Sequence, residues 1–195
     1  MSLDDWTEQQ GASNQKQSNN YAYEGSYSWV FGSEDVSHIL TYDPSGSDAP
    51  KEARVDTRIY AVNAGDSGRH LGGPIFRYKD DSNYYAVVLS PSSDEATLAL
   101  IKNGSFTDKG KVSIPHNVDT WDHIDIETYV DSGGAFNARV RMDTDGDGNL
   151  ETQGTIADGN NEFSAGGAVG LGTIHSYSGS SSFDPVHFDE TSVYY

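Results

Sequence analysis

An antiparallel β-sandwich is the fold this sequence predicts, and three observations predict it. Apolar residues recur with a period of two, most clearly over Arg54 to Val62, Asp122 to Val130 and Ala135 to Met142, while no stretch keeps a 3.6-residue apolar period for three turns. The run Gly72 to Leu89 consists of two aromatic and β-branched segments around the polar break Lys79 to Asn83, the pattern of a hairpin with a five-residue connection. Twenty-one glycines, with many Ser, Asn and Asp residues, place turn chemistry about every ten residues. A chain of 195 residues, 35% hydrophobic, is long enough for one buried core, and all-β domains of this size are commonly single units.

The elements follow in order. Leu3 to Asn20 is polar around one large anchor, Trp6, which marks a first strand and then a loop. Tyr23-Glu24-Gly25-Ser26-Tyr27-Ser28-Trp29-Val30-Phe31 is a turn feeding a strand, and an opening of this kind also occurs in galactose-binding-like sandwiches. His38 to Tyr42 is a short strand, and Asp43 to Lys51, with its prolines and glycines, is a loop. Arg54 to Val62 sets Val55, Thr57, Ile59 and Ala61 against Arg54, Asp56, Arg58 and Tyr60, a strand with one wet face. Asn63 to Gly73 is a Gly-rich loop at a sandwich end, a usual place for ligands.

After the central hairpin, Thr97 to Lys102 runs into Asn103-Gly104, a dipeptide suited to a tight turn, and Lys111 to Ile114 is the next strand. Asp122 to Val130 and Ala135 to Met142 pair through Asp131-Ser132-Gly133-Gly134, which puts His123, Asp125, Glu127 and Tyr129 beside Asn137, Arg139 and Arg141 on a polar face. Asp143 to Glu151 is an acidic loop, and Thr152 to Ala157, Gly167 to Thr173 and Val186 to Tyr195 are strands.

Thirty acidic residues oppose 12 basic ones, for a net charge of −18, and Asp outnumbers Glu 21 to 9. Such a surface repels nucleic acid and anionic membrane. Self-repulsion of this size is relieved in molar salt, which implies a halophilic source. The chain has no cysteine, so disulfides and thiolate metal sites are excluded. No apolar run approaches the length of a membrane span. Met1-Ser2-Leu3 reads as a cloning scar, leaving residues 4–195 as one sandwich domain cut from a longer precursor.

The pattern G-x-I-F-R-Y-K-D-D-S-N-Y-Y-A-V-V-L at Gly73 to Leu89, the leucine-rich strand ending in K-N-G, and W-x-x-I-x-I-E from Trp121 resemble the concanavalin A-like lectin/glucanase superfamily, in particular its laminin G-like domains. The likeness runs from about Ala53 to Tyr195. It implies a two-sheet antiparallel jelly-roll β-sandwich, about 12 to 14 strands for a domain of this length. For function it implies a carbohydrate-binding, lectin-like module of a secreted or cell-surface protein, beside other domains of a larger chain and without catalysis. A structural or adhesive sandwich with a protein partner and a glycoside hydrolase are the alternatives.

Sugar recognition needs aromatic faces and planar charged groups. Arg58, Tyr60, Arg77, Asp125, Glu127, Tyr129, Arg139 and Arg141 are the residues of these types that the pattern leaves outward or ambiguous in face, whereas Trp6, Trp29 and Trp121 read as core or edge anchors. Cross-strand ion pairing is the competing account of the Arg and acid pairs. The strand from His123 to Thr128 resembles the E-I-D-I-E-F strand of the laminarinases, which would make Asp125 and Glu127, about 6.6 Å apart along a strand, the catalytic acids of a hydrolase. His123 stands where the nucleophile of that motif belongs.

Asp143-Thr144-Asp145-Gly146-Asp147-Gly148-Asn149 matches the first half of an EF-hand loop, with Asp143, Asp145, Asp147 and the Asn149 carbonyl as oxygen donors for calcium. The twelfth position is Gly154 instead of Glu, so the bidentate ligand is missing, and a solvated acidic turn is the alternative. A second structural calcium, implied by the resemblance, would link Asp4 or Asp5 to Asp189. Asn103-Gly104-Ser105 is the single glycosylation sequon and sits at a hairpin tip.

Overall fold

The computed structural model describes residues 6–10, 16–18, 21–25, 28–31, 38–42, 50–62, 72–90, 93–115, 118–174 and 186–195. Their regular structure is β throughout: β1 (Trp6–Gln10), β2 (Lys16–Ser18), β3 (Ser28–Phe31), β4 (His38–Tyr42), β5 (Ala53–Ala61), β6 (Gly72–Asp80), β7 (Asn83–Ser90), β8 (Glu95–Lys102), β9 (Ser105–Ser113), β10 (Trp121–Val130), β11 (Phe136–Met142), β12 (Glu151–Asp158), β13 (Ala168–Thr173) and β14 (Val186–Tyr194). They form two seven-stranded antiparallel sheets, one in the order β1-β4-β13-β6-β7-β8-β9 and the other β12-β11-β10-β5-β14-β3-β2. Among the described residues no helix is long and apolar enough to cross a membrane.

The first sheet is apolar on both faces. Phe76, Tyr85, Val87, Leu89, Leu98 and Leu100 pack between the sheets, and the intervening Ile75, Tyr84, Ala86, Val88, Ala99 and Ile101 form a second buried cluster on the opposite face. This is why Gly72 to Leu89 is a nearly continuous apolar run with no period of two. The second sheet turns Val55, Ile59, Ile124, Ile126, Phe136, Ala138, Val140 and Met142 inward, as alternation predicts, and its other face is polar. Any ligand face built on regular strands therefore belongs to the second sheet.

At one side the sheets meet through β9 and β12. A Cβ on Gly154 would lie 2.6 Å from Val112 Cγ1, so only glycine allows β12 to come this close. Lys109 Nζ reaches Asp158 Oδ1 across the same seam, at 3.0 Å.

Several expectations need correction. The central hairpin turns through Asp81 and Ser82 alone, its extra length being absorbed by an irregularity between Phe76 and Asp80. The strand predicted at Lys111 begins at Ser105, directly after the tight turn in which Asn103 and Gly104 have φ of 51° and 74°. β2 falls in a segment that read as loop. The first and last strands, which a calcium link from Asp4 or Asp5 to Asp189 would join, lie in different sheets, because β1 pairs with β4 whereas β14 pairs with β3 and β5.

Candidate functional site

The outer face of the second sheet is a ladder of cross-strand rows. Across β14, β5 and β10, His187, Tyr60 and Trp121 form the first row, and Asp189, Arg58 and His123 the second. With β11 added, Ser192, Asp56, Asp125 and Arg141 form the third row, and Tyr194, Arg54, Glu127 and Arg139 the fourth. Period-two geometry thus sorts one strand of mixed residues into an aromatic end and a charged middle.

The charged middle is an ion-pair network closed on itself. Asp125 is fully buried: Arg54 Nε donates to its Oδ2, while Oδ1 takes Arg141 Nη2 at 2.6 Å and Nε at 2.9 Å. Glu127 accepts from Arg139 Nη1 at 3.0 Å, and Arg139 lies 5.3 Å from the centre of the Tyr129 ring. Asp56 Oδ1 meets His123 Nε2 at 2.8 Å. Of the acids and arginines predicted to meet a sugar here, Asp125 is withdrawn from solvent altogether, and Glu127 and Arg139 serve each other.

Arg77 is a clear correction. It is only 2% exposed and points into the sandwich. Its Nε and Nη2 donate to the Lys51 carbonyl, at 3.0 and 2.8 Å, its Nη1 donates to Asn161 Oδ1, and the guanidinium lies 4.2 Å from the centre of the Phe136 ring. The cause is backbone: Arg77 has φ of 51°, at the irregularity in β6, so it follows Phe76 onto the same face instead of alternating away. Burial pulls its pKa below the usual guanidinium value.

The aromatic end is covered by residues 21–25. Asp189 Oδ2 accepts the backbone N–H groups of Tyr23 and Glu24, at 2.9 and 3.3 Å, and its Oδ1 accepts that of Glu190 at 2.8 Å. Asp189 therefore works as a clamp for this segment; Asp4 and Asp5, with which it was expected to share a calcium ion, lie outside the described residues. Ser28 Oγ donates to the Tyr21 carbonyl and lies 3.0 Å from His187 Nδ1. Tyr21 packs at 4.8 Å on Tyr60 and 4.9 Å on His187, and Tyr60 at 5.4 Å on Trp121. Burial drives the His187 pKa down to about 4 and raises that of Tyr60.

Next to this cluster the face opens into a cleft of about 350 Å³ lined by Tyr23, Arg58, Trp121, His123, Asp143 and Thr144, with Thr120, Asp122, Gly146 and Gly148 completing the wall. The Tyr23 ring is 41% exposed, meets the Trp121 ring edge-on at 5.9 Å, and carries the Arg58 guanidinium 4.4 Å above its centre. Sequence reasoning placed Arg58 here but took Trp121 for an anchor and passed over Tyr23, His123 and Thr144. The signal for Trp121 and His123 was available, since both share the phase of Asp125, Glu127 and Tyr129 on β10.

The far wall of the cleft is the acidic loop after β11. It is pinned to β10 by Asp143 N–H donating to the His123 carbonyl at 3.1 Å. Asp143 caps the N–H groups of Gly146 and Gly148, at 2.8 and 3.0 Å, and those glycines take φ of 78° and 86°. Donor atoms of Asp143, Asp145 and Asp147 all lie within 4.8 Å of one another. Asn149 turns its amide to Asp147 Oδ2, at 2.8 Å, and its backbone and side-chain N–H groups hold the Asp147 pKa below the usual carboxylate range.

With the geometry in hand, the chain can be set beside solved structures. The carbohydrate-binding module CBM66 from Bacillus subtilis superposes with a TM-score of 0.65 at 18% identity, over 97% of this chain and 94% of that one. The PL-14 alginate lyase from Aplysia kurodai gives 0.60 at 12% identity, over 94% and 88%. The fold is a two-sheet antiparallel jelly roll. The GH43 protein BlXynB from Bacillus licheniformis gives 0.62 at 11% identity; there the jelly roll covers 97% of this chain but 36% of the larger protein. No family model matches the sequence, and no curated protein does. At these identities the likeness carries the jelly-roll fold and leaves function to the site.

Proposed function

We propose that the protein is a non-catalytic carbohydrate-binding module whose ligand site is the cleft at the aromatic end of the second sheet. The observation that carries this reading is the cleft itself, which combines the Trp121 and Tyr23 rings with the Arg58 fork and the polar groups of His123, Asp143 and Thr144 in about 350 Å³. Aromatic rings match the C–H faces of a sugar, and planar charged groups match its hydroxyls. The near end-to-end superposition on a carbohydrate-binding module supports it.

Hydrolysis through Asp125 and Glu127 is disfavoured by the environment of Asp125. A two-carboxylate mechanism needs both groups at the glycosidic bond. Asp125 is instead fully buried between two arginines.

The same proposal places a calcium ion in the acidic loop. Three carboxylates offer hard oxygens, and their N–H caps leave lone pairs unused, so the donor set suits a hard cation. The ion would hold the wall of the cleft. A secreted or cell-surface location within a larger protein, and a salt-rich habitat, complete the reading; the net charge of −18 supports the latter.

The test is retention of the purified chain on a panel of polysaccharides, with an assay for new reducing ends. Retention without new ends is expected, and Trp121→Ala should weaken it at least tenfold while the variant stays folded. Retention unchanged in Trp121→Ala would refute the cleft as the site, and new reducing ends would refute the non-catalytic reading. No retention on any glycan would leave the adhesive sandwich as the better account.

A further inference from the structure

We infer that the cleft selects uncharged sugars and rejects uronates; this rests on the carbohydrate-binding reading above. The argument is the balance of charge around the one guanidinium that faces the cleft. Arg58 Nε meets Glu190 Oε2 at 3.4 Å, and among the described residues its terminal nitrogens have no protein acceptor. Asp143 lines the wall, Asp56 stands behind His123 at 2.8 Å, and Asp145 and Asp147 extend the acidic loop.

A ligand carboxylate drawn to Arg58 would compete with Glu190 and lie beside Asp143, in a protein already carrying net charge −18. Acceptor-only groups of one sign repel at this range. A hydroxyl meets the same wall differently, because it both accepts and donates. The Arg58 fork can donate to adjacent hydroxyl oxygens, and the carboxylates can accept the hydroxyl protons. The Tyr23 ring, its centre 4.4 Å from the Arg58 guanidinium carbon, restrains the fork on one side, which favours a pair of hydroxyls with fixed spacing.

The test is affinity electrophoresis of the intact chain through neutral glycans (mixed-linkage β-glucan, xylan, arabinan, mannan and levan) and acidic ones (alginate and polygalacturonate). Both 0.1 M and 1 M NaCl are used, once with millimolar calcium, so that the ion proposed for the acidic loop is in place, and once with EDTA, in which the neutral-to-acidic comparison is read because no divalent ion then bridges acid to acid. Retardation by at least one neutral glycan is expected, with acidic glycans at least tenfold weaker at the lower salt. Glu190→Gln, which removes the acid beside Arg58, should narrow that gap at 0.1 M. Acidic glycans retained as well as or better than every neutral one would overturn the inference and leave the carbohydrate-binding reading standing. A gap unmoved by Glu190→Gln would also overturn it. No retardation by any glycan in either the calcium or the EDTA series would overturn the carbohydrate-binding reading itself.

Discussion

Replacing Asp125 by Asn keeps the size of the side chain and removes one buried charge from between two arginines. Asp125 is fully buried and accepts from Arg54 Nε and from both Nε and Nη2 of Arg141. A hydrogen bond involving a charged group is worth about 1.5–3 kcal/mol, and removing one partner of a buried pair costs about 3–5 kcal/mol. The arginines soften this, because their side chains are 38% and 25% exposed and regain water once released. A loss of about 3 kcal/mol is therefore expected, which lowers the melting temperature of a domain this size by about 6–12 °C. Thermal unfolding followed by circular dichroism measures it, and 1 M salt should spare most of the difference, since buried pairs are poorly screened. Glycan retention by the folded variant should match the parent chain, because Asp125, one row from Arg58 and His123, is fully buried and does not line the cleft. An Asp125→Asn variant that melts with the parent chain would refute the buried-triad argument. One that loses retention at an unchanged melting temperature would return Asp125 to the ligand site.

His187 predicts a pH dependence. Its folded pKa of about 4 lies below the ordinary value of 6.5, so the unfolded chain binds the extra proton between those values. The His187 contribution is complete above about pH 6.5 and is lost as the pH falls towards about 4; the parent chain should lose more melting temperature across that window than His187→Gln, and parallel curves would refute it. Calcium at millimolar concentration should raise the melting temperature by a few degrees, and Asp145→Asn with Asp147→Asn should abolish the rise; an equal rise in the double variant would remove the ion from this loop. Melting temperature should climb from 0.1 M to 1 M KCl as the Debye length shrinks from about 10 to about 3 Å, and a flat or falling curve would count against salt adaptation.

How much was legible in the sequence depended on which sheet a residue joined. The second sheet has one buried and one wet face, so β5, β10 and β11 showed a clean alternation, and a polar face with acids on one strand beside arginines on the next followed from phase and a short turn; the register then pairs Asp125 with Arg141 and Glu127 with Arg139. The first sheet is buried on both faces, so its strands carry no phase. There Arg77 was taken for a sugar-binding candidate, and the φ of 51° that turns it inward has no counterpart in residue type. The cleft failed for a different reason. Its walls come from residues 21–25, β5, β10 and the loop after β11, and they meet because Asp189 clamps Tyr23 while Asp143 bonds to the carbonyl of His123. Asp189 and Asp143 were both singled out as metal ligands, because from sequence an Asp shows only its charge. What each does is set by the N–H groups within reach. Asp189 receives three, one of them from a neighbour and two from 165 and 166 residues away, and so it acts as a long-range clamp. Asp143 receives two from its own loop and has the carboxylates of Asp145 and Asp147 within reach, which is the geometry on which the calcium proposal rests.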